Sequence, residues 1–253
     1  MKPMTPEHTS VVVAARGPAR RQPGFTLVEL LTVISIIGIL AGMMFPVFTN
    51  VMENGRRASC LNNIKQLSAA FVMYGNESGN MLPNCTYGGS GAAMEGGWIY
   101  YSRYPANDAS AGPKAFSPRL GSLFPYIKGP GAYICPSDPQ GKTSGNSYSI
   151  NSNLFQAAGP GFATSRMLSS FVWTSRWLLL CEEASIPSGV DNSSGAALQR
   201  YGTDDGCLLV GTDTFSTRHS GGLICAFLDG HAKWCRPEEI TAKHYLTGGI
   251  GGS

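Results

Sequence analysis

Apolar residues crowd one stretch near the amino end. Phe25 to Phe48 reads FTLVELLTVISIIGILAGMMFPVF, with Thr26, Glu29, Thr32 and Ser35 its polar interruptions. As a helix rising ~1.5 Å per residue it reaches about 36 Å, enough to cross a ~30 Å hydrocarbon layer with some tilt. The run is long for a secretory signal, and Ala41-Gly42 followed by Met-Met-Phe-Pro is a poor cleavage context, so the pattern predicts a retained span. Beyond it, Leu61, Ile64, Leu67/Ser68 and Phe71/Val72 recur at helical spacing, with Asn62, Asn63, Lys65 and Gln66 on the other side. One long helix from Phe25 to about Tyr74 follows, stopped by Gly75-Asn76, Gly79 and Pro83. Residues 25–77 form this helical region, 25–48 being its span.

After the helix the pattern changes. Leu82 to Pro130 is rich in Gly, Pro, Ser and aromatics, including Trp98, Tyr100, Tyr101 and Tyr104, which predicts irregular loop pinned on a small core. Short strands are expected at Tyr133–Cys135, Ser147–Phe155, Arg176–Cys181 and Cys207–Val210, with Pro136 to Pro139 a turn and Asp191–Gly206 a loop. Two apolar runs flank Asp229-Gly230 and predict a hairpin over 222–235. A two-residue turn pairs Leu228 with His231 and Cys225 with Trp234, placing Cys225 and Cys235 on opposite faces with no bridge between them. The fold class is therefore α+β: a long amino-terminal helix packed on a small antiparallel sheet with long irregular loops, the globular domain covering 78–253.

Charge sharpens the picture. The formal net charge of +3 belongs to the first 24 residues, where Lys2, Arg16, Arg20 and Arg21 face one acid, Glu7; the remainder carries 15 basic and 15 acidic residues. A neutral body has no electrostatic footprint for nucleic acid. The arginines before the span predict a cytoplasmic amino terminus and an exported carboxy-terminal domain on a single-pass anchor. Glu29 is the anomaly, because an ionised carboxylate in a membrane helix costs ~2.5–3.5 kcal/mol. It lies about one turn from the cytoplasmic end, where it either reaches headgroups or awaits a cation from another subunit.

The seven cysteines (60, 85, 135, 181, 207, 225 and 235) include no Cys-x-x-Cys pair, so the usual metal and redox signatures are missing. Candidates for acid–base or metal chemistry are His219, Asp229, His231 and the Asp204-Asp205 pair. His219 is expected beside the hairpin, bonding to its turn. No nucleophile context such as Gly-x-Ser-x-Gly appears, and the reading is not an enzyme.

Gly24-Phe25-Thr26-Leu27-Val28-Glu29 resembles the processing site of type IV prepilins and type II secretion pseudopilins. The resemblance implies a 1–24 leader, cut after Gly24 by a membrane prepilin peptidase that methylates the new amino-terminal Phe25. It implies that Glu29 recruits subunits by pairing with a neighbour's Phe25 amine, and that the product enters a filament through an inner-membrane assembly platform. The same resemblance places the single-pass anchor in the inner membrane and the exported domain in the periplasm. The family's proline at the twenty-second mature residue corresponds to Pro46, a kink position because proline removes a helix hydrogen bond. His219, nine residues, then Asp229-Gly230 resembles a carboxy-terminal domain found with such leaders. Ser59–Leu67 and Cys135-Pro136-Ser137-Asp138 resemble that family too. This resemblance makes Cys60–Cys135 the preferred disulfide. Analogy with secretion pseudopilins adds a calcium expectation at Asp204, Asp205 or Asp213, since clustered carboxylates suit that ion; no cofactor is required. The rival readings are a membrane-anchored module binding a surface polysaccharide through exposed aromatics, and a tethered metal-dependent enzyme.

Overall fold

The computed structural model describes residues 24–86, 97–102, 115–159, 162–184, 186–190, 197–200, 203, 205–209, 213–243 and 245–247. The predicted leader up to residue 23, Tyr104, Asp204 and Val210 lie outside them. The chain is α+β and divides into two units, one ending at Phe48 and the other beginning at Thr49.

Helix α1 runs without interruption from Leu27 to Glu77 and passes through Pro46. It is the one described helix long and apolar enough to cross a membrane by length and composition. From residue 49 onward it belongs to the globular unit. Its buried line is Cys60, Ile64, Leu67, Ser68 and Phe71. The stripe is thus turned slightly from the expected one: Leu61 is half-buried and Val72 exposed, while Cys60 takes the inward position.

The strands are β1 (Cys85–Thr86), β2 (Tyr100–Tyr101), β3 (Phe116–Ser117), β4 (Tyr148–Asn151), β5 (Phe155–Gly159), β6 (Phe162–Ser165), β7 (Leu178–Glu182), β8 (Ile186–Val190), β9 (Ala197–Arg200), β10 (Cys207–Leu208), β11 (Leu223–Phe227) and β12 (Ala232–Cys235). Five make the main sheet in the order β10-β4-β7-β11-β12, all antiparallel except β10 on β4. Strand β11 is apolar at every position because both its faces are covered. Ile224 and Ala226 join the cluster containing Cys60, Ile64, Leu67 and Phe71 of α1, whereas Leu223, Cys225 and Phe227 join one with Ile240 and Tyr245.

Several expectations are corrected. The predicted strand at Tyr133–Cys135 is the end of a 3-10 turn, Pro130–Tyr133, because Pro130 at its start favours a helical turn. Asp138 does not merely close a turn but caps the short helix Pro139–Ser144, its side chain accepting from the Gln140 N–H. The stretch from 147 to 155 is broken by a 3-10 turn at Ser152–Leu154. Within the expected 191–206 loop, Ala197–Arg200 pairs with Ile186–Val190; residues 191–196 lie outside the described residues. Trp98 and Tyr101, by contrast, are buried as expected of aromatics that pin this loop on the core. Trp98 stacks on Tyr133, centroids 6.1 Å apart, and donates its indole N–H to the Gly206 carbonyl at 3.0 Å.

The hairpin forms, but one residue out of the expected register: Ile224 pairs with Trp234 and Cys225 with Lys233. The loop holds three residues, Leu228 to Gly230, because Gly230 takes φ +89°, a conformation costly for other residues. Leu228 does not pair with His231; Phe227 does, its N–H donating to the His231 carbonyl at 2.9 Å. The shift moves Cys225 and Cys235 onto one face, in a shared cluster, not onto opposite ones. Both are free thiols.

Gly222, just ahead of β11, has no room for a side chain. A Cβ there would press on the Trp234 ring and lie 2.5 Å from the Cys235 carbonyl oxygen. Gly222→Ala is expected to cost about 1–3 kcal/mol by overpacking, read as a lower denaturant midpoint; an unchanged midpoint would show that β12 yields freely.

Candidate functional site

The amino-terminal site is built by the first turn of α1. Thr26 precedes the helix and Glu29 is its third residue, and the two bond reciprocally. Glu29 Oε2 accepts from the Thr26 backbone N–H at 2.9 Å and from its hydroxyl at 2.7 Å, while the Glu29 N–H donates to Thr26 Oγ1 at 3.2 Å. This is a capping box, which satisfies backbone donors that a helix start leaves open. The Thr-x-x-Glu spacing was legible in the sequence and offers a second use for the acid. Phe25 and the apolar residues down to Phe48 are exposed in the isolated chain. The carboxylate therefore has a local partner, Thr26, on Oε2.

The second site lies wholly inside the globular unit. Cys60 of α1, Cys135 just after the 130–133 turn, Glu182 at the end of β7 and His219 before β11 are all buried. One ligand atom from each lies within 4.8 Å of the others. Cys60 Sγ donates to Glu182 Oε1 at 3.0 Å, His219 Nε2 meets the same oxygen at 3.1 Å, and Cys135 Sγ is 3.3 Å from His219 Nε2. The other Glu182 oxygen accepts from the Ile224 N–H at 2.8 Å, and Glu53 Oε1 lies 2.8 Å from His219 Nδ1. Arg218 Nη1 lies 2.7 Å from Asp138 and 4.0 Å from Glu182.

Electrostatics follow from this packing. Burial disfavours a charged His219 ring, but its bonds to Cys135 and Glu182, and the carboxylate's charge, outweigh burial and raise its pKa above that of a free imidazole. Burial likewise opposes ionisation of Glu182, yet the His219 bond and the Arg218 charge hold its pKa below the usual carboxylate value. Burial pushes the Cys60 thiol up, whereas the neighbouring Cys60 sulfur and the His219 contact outweigh burial and pull Cys135 down. A buried carboxylate surrounded by donors and cations is tolerable; an isolated one would not be.

The other expected site residues are dispersed. The ring of His219 does not bond to the hairpin turn; its main chain does the local work, His219 N–H donating to the Gly222 carbonyl and its own carbonyl accepting from the Trp234 indole at 2.8 Å. Asp229 instead holds the turn, accepting from the His231 N–H and contacting the His231 ring at 2.5 Å. His219, Asp229 and His231 therefore make no common ligand set. Asp205 accepts from the Cys207 N–H at 2.8 Å and Asp213 from the Leu209 N–H at 2.6 Å, both acting as local backbone acceptors. Cys60 and Cys135 are neighbours, as the resemblance implied, but both are free thiols.

Sequence reasoning missed Glu182 and Glu53. Glu182 closes the apolar run RWLLLCE, and an acid on a buried strand was a usable signal. Glu53 lies seven residues before Cys60, on the same helix face as the buried line.

Residues 19–45 match the family model described as the prokaryotic N-terminal methylation motif. The type II secretion system core protein G of Pseudomonas aeruginosa is 36% identical over 55 residues, 22% of this chain and 39% of that protein. The protein of the same name from Pectobacterium carotovorum subsp. carotovorum is 39% identical over 54 residues, 21% of this chain and 35% of that protein. The chain thus spans less than two-fifths of either relative's length. No solved structure matches it. The protein carries a prepilin-type amino-terminal segment, weakly similar to protein G of type II secretion, on a helix suited to single-pass membrane anchoring.

Proposed function

We propose that this protein is a structural subunit, not a catalyst, of a type IV pilus-like or type II secretion pseudopilus filament. The observation that carries the reading is the methylation motif over residues 19–45. It supplies Gly24, Phe25 and Glu29 at the head of a helix whose first turn is already capped. In this reading the leader 1–24 is removed by prepilin peptidase and Phe25 is methylated. Arg16, Arg20 and Arg21 keep the leader cytoplasmic, so residues 78–253 are exported to the periplasm. Pilin-like subunits then pack through their apolar helices on the inner-membrane assembly platform, with Glu29 pairing to the amine of a neighbouring Phe25. The burial of Trp98 and Tyr101 weighs against a polysaccharide platform built from those rings.

Intact-mass and amino-terminal analysis of the protein from native membranes, with and without prepilin peptidase, tests this. The expected chain begins at N-methyl-Phe25 only when the peptidase is present. A chain that keeps Met1 or Met4 in both backgrounds would end the proposal.

A further inference from the structure

Four chain segments far apart in sequence deliver Cys60, Cys135, Glu182 and His219 to one buried point. A helix, a residue just after a turn, the last residue of β7 and the segment before β11 converge there. Two thiols, a carboxylate and an imidazole are the side chains that bind divalent transition metals. We propose that Cys60 Sγ, Cys135 Sγ, Glu182 Oε1 and His219 Nε2 form a closed, four-ligand structural site for one such ion, zinc being the best fit.

The dimensions support this. With metal–sulfur bonds of ~2.3 Å and metal–nitrogen or –oxygen bonds of ~2.0–2.2 Å, the ligand–ligand edges of a tetrahedron are roughly 3.3–3.8 Å. The three edges given above are 3.0, 3.1 and 3.3 Å, and none exceeds 4.8 Å. The ion therefore needs only small outward shifts of side chains already aimed at its position.

The surroundings match what a metal site requires. His219 turns its other nitrogen to Glu53 at 2.8 Å, the carboxylate–histidine pairing that fixes a ligand ring and raises its basicity. Glu182 is fixed through its second oxygen by the Ile224 N–H. On binding, the two thiols and His219 Nε2 each release a proton, and His219 ligates as a neutral ring with its Nδ1 proton toward Glu53. Two thiolates and a carboxylate around a dication leave one negative charge, which Arg218 sits beside, 4.0 Å from Glu182. A disulfide accounts only for the sulfurs. It removes the proton that Cys60 donates to Glu182 and leaves the convergence of carboxylate and imidazole unexplained. The wide spacing of the ligands also explains why no Cys-x-x-Cys signature announced the site.

The test uses the full chain, purified in detergent from its own membranes without chelator. Elemental analysis is expected to find one equivalent of zinc per chain, with Cys60 and Cys135 protected from alkylation until the metal is stripped. Cobalt(II) added to stripped protein is expected to give tetrahedral d–d bands and thiolate-to-metal charge-transfer absorption. Glu53→Ala, which removes no ligand and lies at a partly exposed position, should weaken metal affinity about 10–100-fold. Cys135→Ser should abolish the charge-transfer band, or reduce it if one thiolate remains. A chain lacking two hydrogens, with Cys60 and Cys135 in a disulfide, would overturn the proposal. So would wild-type protein that binds neither zinc nor cobalt, or a cobalt spectrum unchanged when both cysteines are serine. None of these results bears on whether Phe25 is the mature terminus, so this site and the filament reading stand or fall separately.

Discussion

Glu182→Ala is expected to destabilise the globular unit by about 3–5 kcal/mol, the cost of breaking a buried charge pair from one side. The carboxylate has no exposed surface, and it serves the Cys60 thiol, the His219 ring, the Ile224 N–H and Arg218 together. Its removal leaves an imidazole without that partner inside the core and a strand N–H facing a void. With a metal bound, the same change also deletes a ligand. Urea unfolding of wild type and variant, followed by circular dichroism, reads the difference. Glu182→Gln keeps the shape and an acceptor for Ile224 but loses the charge, so its penalty should be smaller. A Glu182→Ala midpoint within error of wild type would mean that water enters the cluster and the charge is not buried in effect.

Glu29→Ala is expected to leave leader removal and membrane insertion intact while sharply reducing filament incorporation. The acid carries two duties, one within the chain and one proposed between chains, and they can be separated. Glutamine in place of glutamate still completes a capping box, because its side-chain oxygen can accept from Thr26. Glu29→Gln therefore preserves the helix start yet leaves a neighbour's Phe25 ammonium without a counter-ion. An ionised group in a membrane helix costs ~2.5–3.5 kcal/mol, and relieving even half of that by pairing is roughly a ten-fold effect on an equilibrium. Both variants should then show at least about ten-fold less protein in sheared filaments, with normal amounts in the membrane. Normal assembly of Glu29→Gln beside failure of Glu29→Ala would assign the acid to capping alone. Normal assembly of both would defeat the recruitment role.

The parts legible in the sequence share one property: their signal is local. The apolar run from Phe25 and the helical recurrence after it define α1, and Asp229-Gly230 between two apolar runs defines the hairpin. Where local cues compete, the outcome shifts by one position. Cys60 occupies the inward helix line that Leu61 was assigned, and the left-handed Gly230 lengthens the hairpin loop by one residue, reversing the facing of Cys225 against Cys235. The 197–200 strand hid in a polar segment because strand pairing, not hydrophobic alternation, specifies it. The buried cluster was least legible. Each member has an ordinary neighbourhood in sequence, and only tertiary closure of α1, the 130–133 turn, β7 and the segment before β11 gives Glu182 and His219 a common purpose.

The strand order of the main sheet also fixes a timetable. Its interior is occupied by β4, β7 and β11, and β11 with the edge strand β12 comes from the last part of the chain. The inward face of α1, made first, has no finished sheet to lie against until Leu223–Cys235 has been delivered. Such long-range closure is slow compared with local helix formation. Whatever holds the half-delivered chain must meanwhile shield Ile64, Leu67 and Phe71, so the protein is most prone to aggregation during its delivery, before the closing hairpin arrives.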